Sequence, residues 1–131
     1  MKHIKLFEKF KEFDKELLER DINGILVELK DKGFTCTVST FKTMGRDTIS
    51  IIIIPNSGYM LNANDIYSYI LTLVDYMKYK LGSDIYIEYL YWEPEVNSGF
   101  KTFDFLSDRG KKMSAFKINF LEERVTGNSK W

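Results

Sequence analysis

Two stretches of alternating apolar and polar residues near the middle of the chain constrain the fold most. FTCTVSTF (34–41) and TISIIII (48–54) are separated by a short segment around Gly45. Because the side chains of a β-strand point alternately to the two faces of a sheet, this pattern predicts a β-hairpin with one apolar face. In the second strand Ile52 and Ile54 are interleaved with three other isoleucines, so part of the second sheet face also needs cover.

The N-terminal residues, 1–20, have helical periodicity. Phe10, Phe13 and Leu17 recur at steps of three and four among lysines and glutamates. This spacing is typical of an amphipathic helix with one apolar stripe. We therefore expect an extra N-terminal helix over these residues.

A second helix is expected directly after the first. Asp21 is suited to the N-cap position and Gly33 to the C-terminal end, where a left-handed backbone is common. Asn23 and Gly24 form helices poorly, so a kink is expected between the two helical stretches.

The longest helix is predicted after the hairpin. Asn62 is a good N-cap and Gly82 a good helix end. Between them, apolar residues recur at helical spacing and form one long stripe. They are Ile66, Ile70, Leu73, Val74, Met77 and Leu81.

The last third of the chain returns to strand patterning. In DIYIEYLYWEPE (84–95), Ile85 and Ile87 share one face and Tyr86 lies on the other. GFKTFDF (99–105) and SAFKINFLEERV (114–125) are also predicted to form strands.

The sequence of elements predicts an α+β fold. We expect a two-layer sandwich, an antiparallel sheet of four to five strands with helices on one face, in the order α(α)-β-β-α-β-β-β. The chain of 131 residues fits a single domain, 1–131. In it residues 1–20 are the extra helix, and residues 126–131 are a loose tail.

The composition disfavours several classes of function. Nineteen basic residues balance nineteen acidic ones, whereas proteins that bind nucleic acid through phosphates usually carry a basic excess. The single cysteine, Cys36, cannot form an internal disulfide, so a reducing, cytoplasmic setting is expected. No apolar run is long enough for a signal peptide or a membrane span, and no membrane association is expected.

Few residues suggest catalysis. His3 is the only histidine, and Cys36 alternates with core residues, so a catalytic triad is not expected. Neither a cofactor motif nor a metal-ligand pattern is present. The acidic residues of the last third leave open a cation site on a carboxylate-based enzyme acting on phosphoesters. They are Glu88, Glu93, Glu95 and Asp104.

The second sheet face is the best candidate for a site. It has apolar and aromatic residues that the sheet's own core does not use, and the N-terminal helix has a stripe that also needs cover. The predicted interaction residues are Phe10, Phe13, Leu17, Ile52, Ile54, Tyr86, Leu90 and Trp92.

Three interpretations of this face remain open. The N-terminal helix folds over it as a second small core, the face or the helix docks onto another protein or a second copy of the chain, or its rings stack on single-stranded nucleic acid. The acidic residues of 84–95 disfavour nucleic acid, because they repel phosphate. We therefore expect a non-enzymatic interaction module that binds a protein partner or itself.

Two segments carry a resemblance to known proteins. KHIKLFEKF (2–10) and the segment 21–38, which includes ELKDKGFTCTV, resemble parts of small uncharacterised proteins of tailed bacteriophages. The resemblance implies a viral source and a host-cytoplasm setting. It implies no catalytic residue.

Overall fold

The computed structural model describes residues 15–43, 45–56, 60–82, 84–93 and 99–121. The helices are α1 (Lys15–Ile25), α2 (Val27–Asp31) and α3 (Ala63–Leu81). The strands are β1 (Phe34–Thr43), β2 (Arg46–Pro55), β3 (Leu61–Asn62), β4 (Tyr86–Trp92), β5 (Lys101–Thr102), β6 (Lys112–Met113) and β7 (Ala115–Leu121).

The main sheet has five antiparallel strands in the order β1-β2-β7-β4-β5. The last strand, β7, lies in the centre, between β2 and β4. The predicted α+β sandwich is confirmed. The two-residue strands β3 and β6, which pair with each other, were not predicted.

One hydrophobic core holds helices and sheet together. It includes Ile49, Ile51 and Ile53 of β2 and the whole predicted stripe of α3, all of which are buried. Phe116, Ile118 and Phe120 of β7 are fully buried beside them. We call the sheet face that carries these residues of β2 and β7 the inner face.

The first two helices break at a different position from the expected one. Helix α1 runs through Asp21 and Gly24 to Ile25, and the break falls at Leu26. Helical hydrogen bonding nearly continues there, since Leu26 N donates to Ile22 O over 3.0 Å. Because Ile22 and Leu26 are both fully buried, packing on the core overrides the weak helix propensity of residues 23 and 24.

Helix α3 begins and ends as its sequence predicts. The Asn62 side chain accepts a hydrogen bond from Asn64 N at 2.9 Å, which satisfies one donor of the first turn. At the other end Gly82 has φ 101° and donates its N–H to Lys78 O. These two capping interactions therefore fix the residues at which the helix begins and ends.

The strand predicted over residues 99–105 is shorter than expected. Only Lys101–Thr102 are in β5, although Phe103 N still donates to Tyr89 O at 2.8 Å. The chain then turns, because Asp104 Oδ1 accepts a hydrogen bond from Leu106 N. The rings of Phe103 and Phe105 pack edge to face, 4.8 Å apart, and continue the core instead of the sheet.

Candidate interaction surface

The face of the sheet opposite the inner face is called the outer face. Its residues follow from the strand register, since every second side chain of β1, β2, β4 and β7 points to it. They are Thr35, Thr37, Ser39 and Phe41; Thr48, Ser50, Ile52 and Ile54; Tyr86, Glu88, Leu90 and Trp92; and Ala115, Lys117, Asn119 and Leu121.

Five of the predicted interaction residues lie together on this outer face. Ile54 is 41% exposed and Tyr86 is 53% exposed. Ile52, Leu90 and Trp92 are partly buried. The strand register places all five side chains on the same sheet face, as the alternation predicts.

Of the three predicted helix residues, the structure describes only Leu17. Leu17 is exposed on α1, whose neighbouring residue Leu18 is buried in the core with the inner face. Phe10 and Phe13 lie outside the described residues. The cover of the outer face by the N-terminal helix therefore stays a prediction.

A row of polar side chains crosses the middle of the outer face. Ser39 pairs with Ser50, Ser50 with Asn119, and Asn119 with Glu88. Asn119 Nδ2 donates to Glu88 Oε1 at 3.1 Å. Sequence analysis missed this row, because serine and asparagine at outer positions of a strand normally indicate contact with water.

Two atoms of this row are buried without a hydrogen-bond partner in the described part of the chain. They are Ser50 Oγ and Asn119 Oδ1. Ser50 is only 2% exposed and Asn119 is 9% exposed. A buried polar atom without a partner costs about 1–3 kcal/mol. The polar row is thus a place where the folded chain is less stable than it could be.

Cations lie over aromatic rings near this face. The Arg46 guanidinium is 5.8 Å from the ring centroid of Tyr86. Lys117 Nζ is 5.0 Å from the Phe100 ring, which itself meets Trp92 edge to face at 5.3 Å. Such contacts are attractive, since the face of an aromatic ring carries a partial negative charge. They hold the flat side chains in defined positions.

The acidic residues that suggested a cation site have other partners. Glu93 accepts a 2.7 Å hydrogen bond from Lys101, which holds the pKa of the Glu93 carboxyl below its usual value. Asp104 accepts from a backbone N–H, and Glu88 from Asn119. Glu95 lies outside the described residues.

Potential metal ligands do not cluster anywhere in the described ranges. Among them no three or more histidine, cysteine, aspartate or glutamate side chains come close enough together to hold a metal ion. The described carboxylates named above serve as hydrogen-bond acceptors within the fold.

The thiol of Cys36 is buried on the inner face, as its alternation with core residues predicts. Burial raises the pKa of this thiol, so little of it is thiolate at neutral pH. His3, the other candidate for nucleophilic chemistry, lies outside the described residues.

The loop between β5 and β6 is held by hydrogen bonds and an ion pair. Asp108 accepts hydrogen bonds from Asp104 N at 2.9 Å and pairs with Lys111 at 3.3 Å. These donors lower the pKa of the Asp108 carboxyl, the backbone N–H contributing most. Lys111 also donates to the Tyr91 hydroxyl at 3.1 Å. The loop is thereby fixed to β4.

Comparison with known proteins gives no family. No protein-family model, curated protein or solved structure matches the chain. Among the described helices, none is both long and apolar enough to cross a membrane. Any functional assignment therefore depends on the surface described above.

Proposed function

We propose that the protein is a non-enzymatic interaction module that binds another protein through the outer face of its sheet. The observation that carries this proposal is the exposure of large apolar side chains on one surface. Phe41 and Tyr86 are exposed on one side of the polar row, and Ile54 is exposed on the other side, where the partly buried Ile52, Leu90 and Trp92 also lie. Large apolar side chains exposed on one sheet face are typical of protein–protein contact sites.

The charges of the outer face favour a protein over a nucleic acid. Glu88 lies in the central row, and the cations Arg46 and Lys117 lie over aromatic rings. A strand of nucleic acid needs several cations directed at its phosphates. A protein partner needs only apolar side chains and a few polar groups.

We also propose a cytoplasmic setting, which is that of the host cell if the chain is encoded by a bacteriophage. The buried, unpaired thiol of Cys36 supports a reducing compartment. The bacteriophage source is supported by the resemblance at residues 2–10 and 21–38.

The proposal is tested by removing apolar surface from the outer face. In a double variant, Ile54→Thr and Tyr86→Thr, both changes keep good strand formers while removing exposed apolar area. We expect the immobilised wild-type chain to retain a defined protein from a bacterial lysate and the double variant to retain at least about tenfold less of it, a loss of roughly 1.4 kcal/mol.

A matched control carries the same kind of change on α3. Leu71 is 47% exposed and Tyr79 is 80% exposed. Both lie on α3, which packs against the inner face of the sheet. The double variant Leu71→Gln and Tyr79→Gln should bind as the wild type does. If both double variants lose the protein equally, or if neither loses it, the outer face is not the binding surface.

A further inference from the structure

Among the described strands, β1 forms one edge of the main sheet and pairs with β2 alone. It is 10 residues long, and every residue from Phe34 to Thr43 pairs with β2 without a bulge. An edge strand of this kind presents a row of free backbone N–H and C=O groups, and a further strand can bind to them.

The hydrogen-bond pattern identifies which residues of β1 present these groups. Asn56 N donates to Gly33 O at 2.8 Å, one position beyond the pair Phe34–Pro55. Since hydrogen-bonded and non-hydrogen-bonded pairs alternate in an antiparallel ladder, odd-numbered residues of β1 bond to β2. The even-numbered residues direct N–H and C=O away from it. They are Phe34, Cys36, Val38, Thr40 and Lys42.

The two edges of the sheet differ in their protection. At the opposite edge β5 has only two residues, and the side chain of Lys101 bonds to Glu93 there. Natural sheets blunt their edges with short strands, lysines, prolines or bulges. Strand β1 has a single lysine, Lys42, no proline and no bulge. Its edge is therefore suited to pairing.

We infer that β1 pairs antiparallel with β1 of a second copy of this chain, around a two-fold axis at Val38. This register pairs the most residues, because Val38 is the midpoint of the outward-directed set. It places Val38 opposite the second copy's Val38 and Cys36 opposite the second copy's Thr40. About ten hydrogen bonds form, since each hydrogen-bonded pair exchanges two. A typical specific protein interface has a similar number.

The composition of β1 favours a second copy as the occupant. In this register Lys42, the one charged side chain of the strand, lies opposite the second copy's Phe34, so no like charges meet. The net charge of the whole chain is zero, so two copies do not repel each other. Both helices in contact with β1 also expose an apolar side chain, Leu17 on α1 and Val27 on α2.

The pairing uses a different surface from the outer face and does not depend on the proposed function. Sedimentation velocity of the full chain, up to about 100 µM, should show a reversible dimer with a dissociation constant in that range or below. Thr40→Pro removes an N–H that points away from β2, so the β1–β2 ladder is retained. We expect it to weaken the dimer at least about tenfold, because each copy loses a donor.

Cysteine cross-linking tests the register in a Cys36→Ala background, which removes the native thiol. Val38→Cys places two thiols opposite each other at the axis, and mild oxidation should give a covalent dimer that a reductant dissolves. Thr37→Cys is the matched control, since Thr37 is exposed yet lies opposite the second copy's Ser39. It should remain uncross-linked, whereas Thr37→Cys combined with Ser39→Cys should cross-link.

Three results would overturn the inference. The first is a wild-type chain that stays monomeric over the whole concentration range. The second is equal cross-linking of the Val38→Cys and Thr37→Cys variants. The third is a dimer that survives Thr40→Pro but is lost in the Ile54→Thr, Tyr86→Thr variant. That result would assign self-association to the outer face. It would not contradict the proposed role of the outer face as a binding surface.

Discussion

The hydroxyl of Tyr76 donates a 2.7 Å hydrogen bond to Asp21 Oδ2 and joins α3 to α1 across 55 positions of the chain. Both residues are partly buried. The two helices lie on the same side of the sheet and share the core. This bond therefore links the first described helix to the longest one, at a point where apolar packing alone would leave the relative position of the helices less well defined.

Replacing Tyr76 by phenylalanine should destabilise the fold. The variant loses the donor but keeps the ring, so it isolates the hydrogen bond. Because hydrogen bonds to charged groups contribute about 1.5–3 kcal/mol and this one is partly solvated, we expect a loss of roughly 1–2 kcal/mol. Urea unfolding followed by circular dichroism measures it. Tyr79→Phe, at an exposed tyrosine of the same helix, is the control and should change stability little. Equal stability of the two variants would show that the bond contributes nothing.

The same hydroxyl should make stability depend on alkaline pH. Burial, and then the hydrogen bond to Asp21, raises the pKa of Tyr76 above the usual tyrosine value. The folded chain holds this proton more tightly than the unfolded chain, so the contribution is complete below about pH 10 and is lost as the pH rises above it.

The wild type should consequently lose part of its advantage over Tyr76→Phe between about pH 9 and pH 11. Tyr89 also has a pKa raised by burial, so a residual alkaline loss should remain in the variant. Unfolding curves of both proteins across this range measure the difference. An advantage of the wild type that is constant with pH would contradict the assignment to Tyr76.

The unpartnered hydroxyl of Ser50 should be dispensable for stability. Ser50→Ala removes a buried polar atom that has no hydrogen bond within the described part of the chain, and we expect the free energy of unfolding to stay equal or to rise by up to about 1 kcal/mol. Thr48 is the matched case, because its equally buried hydroxyl donates to Arg46 O. Thr48→Val should cost about 0.5–1.5 kcal/mol. Thermal unfolding compares them, and a larger loss for Ser50→Ala than for Thr48→Val would mean that Ser50 Oγ has a partner in solution.

The main sheet shows which features the sequence could predict and which it could not. Alternation assigned Ile51 to the inner face and Ile52 to the outer face, because side-chain direction in a strand is a local property. It could not predict that Ser50 is buried, since burial depends on which strands are neighbours. The pairing of Ser50 with Asn119 joins β2 to a strand that comes last in the chain, and no local pattern encodes it.

The helices show the same limit. Asn62 and Gly82 were correctly predicted as the ends of α3, because capping involves only adjacent residues. The kink expected at Gly24 was misplaced because the packing of Ile22 and Leu26, which is tertiary, decides where the helix breaks.

Two glycines near this break should respond in opposite ways to alanine. Gly24 lies within α1 and is exposed, and a Cβ built on it has no atom within 4 Å. Gly24→Ala should therefore stabilise the fold by about 0.5–1 kcal/mol, through helix propensity and a less flexible unfolded chain. Gly33 also has open space around a Cβ, but its φ of 100° is a conformation that other residues rarely adopt. Gly33→Ala should cost roughly 1–3 kcal/mol.

Urea unfolding of both variants gives the sign directly. The space available to a Cβ is the same at the two positions, so backbone conformation alone accounts for the opposite outcomes. A destabilising Gly24→Ala would mean that α1 is bent at this position in solution, as the low helix propensity of Asn23 and Gly24 predicts. The helix would then break before Ile25 and not at Leu26.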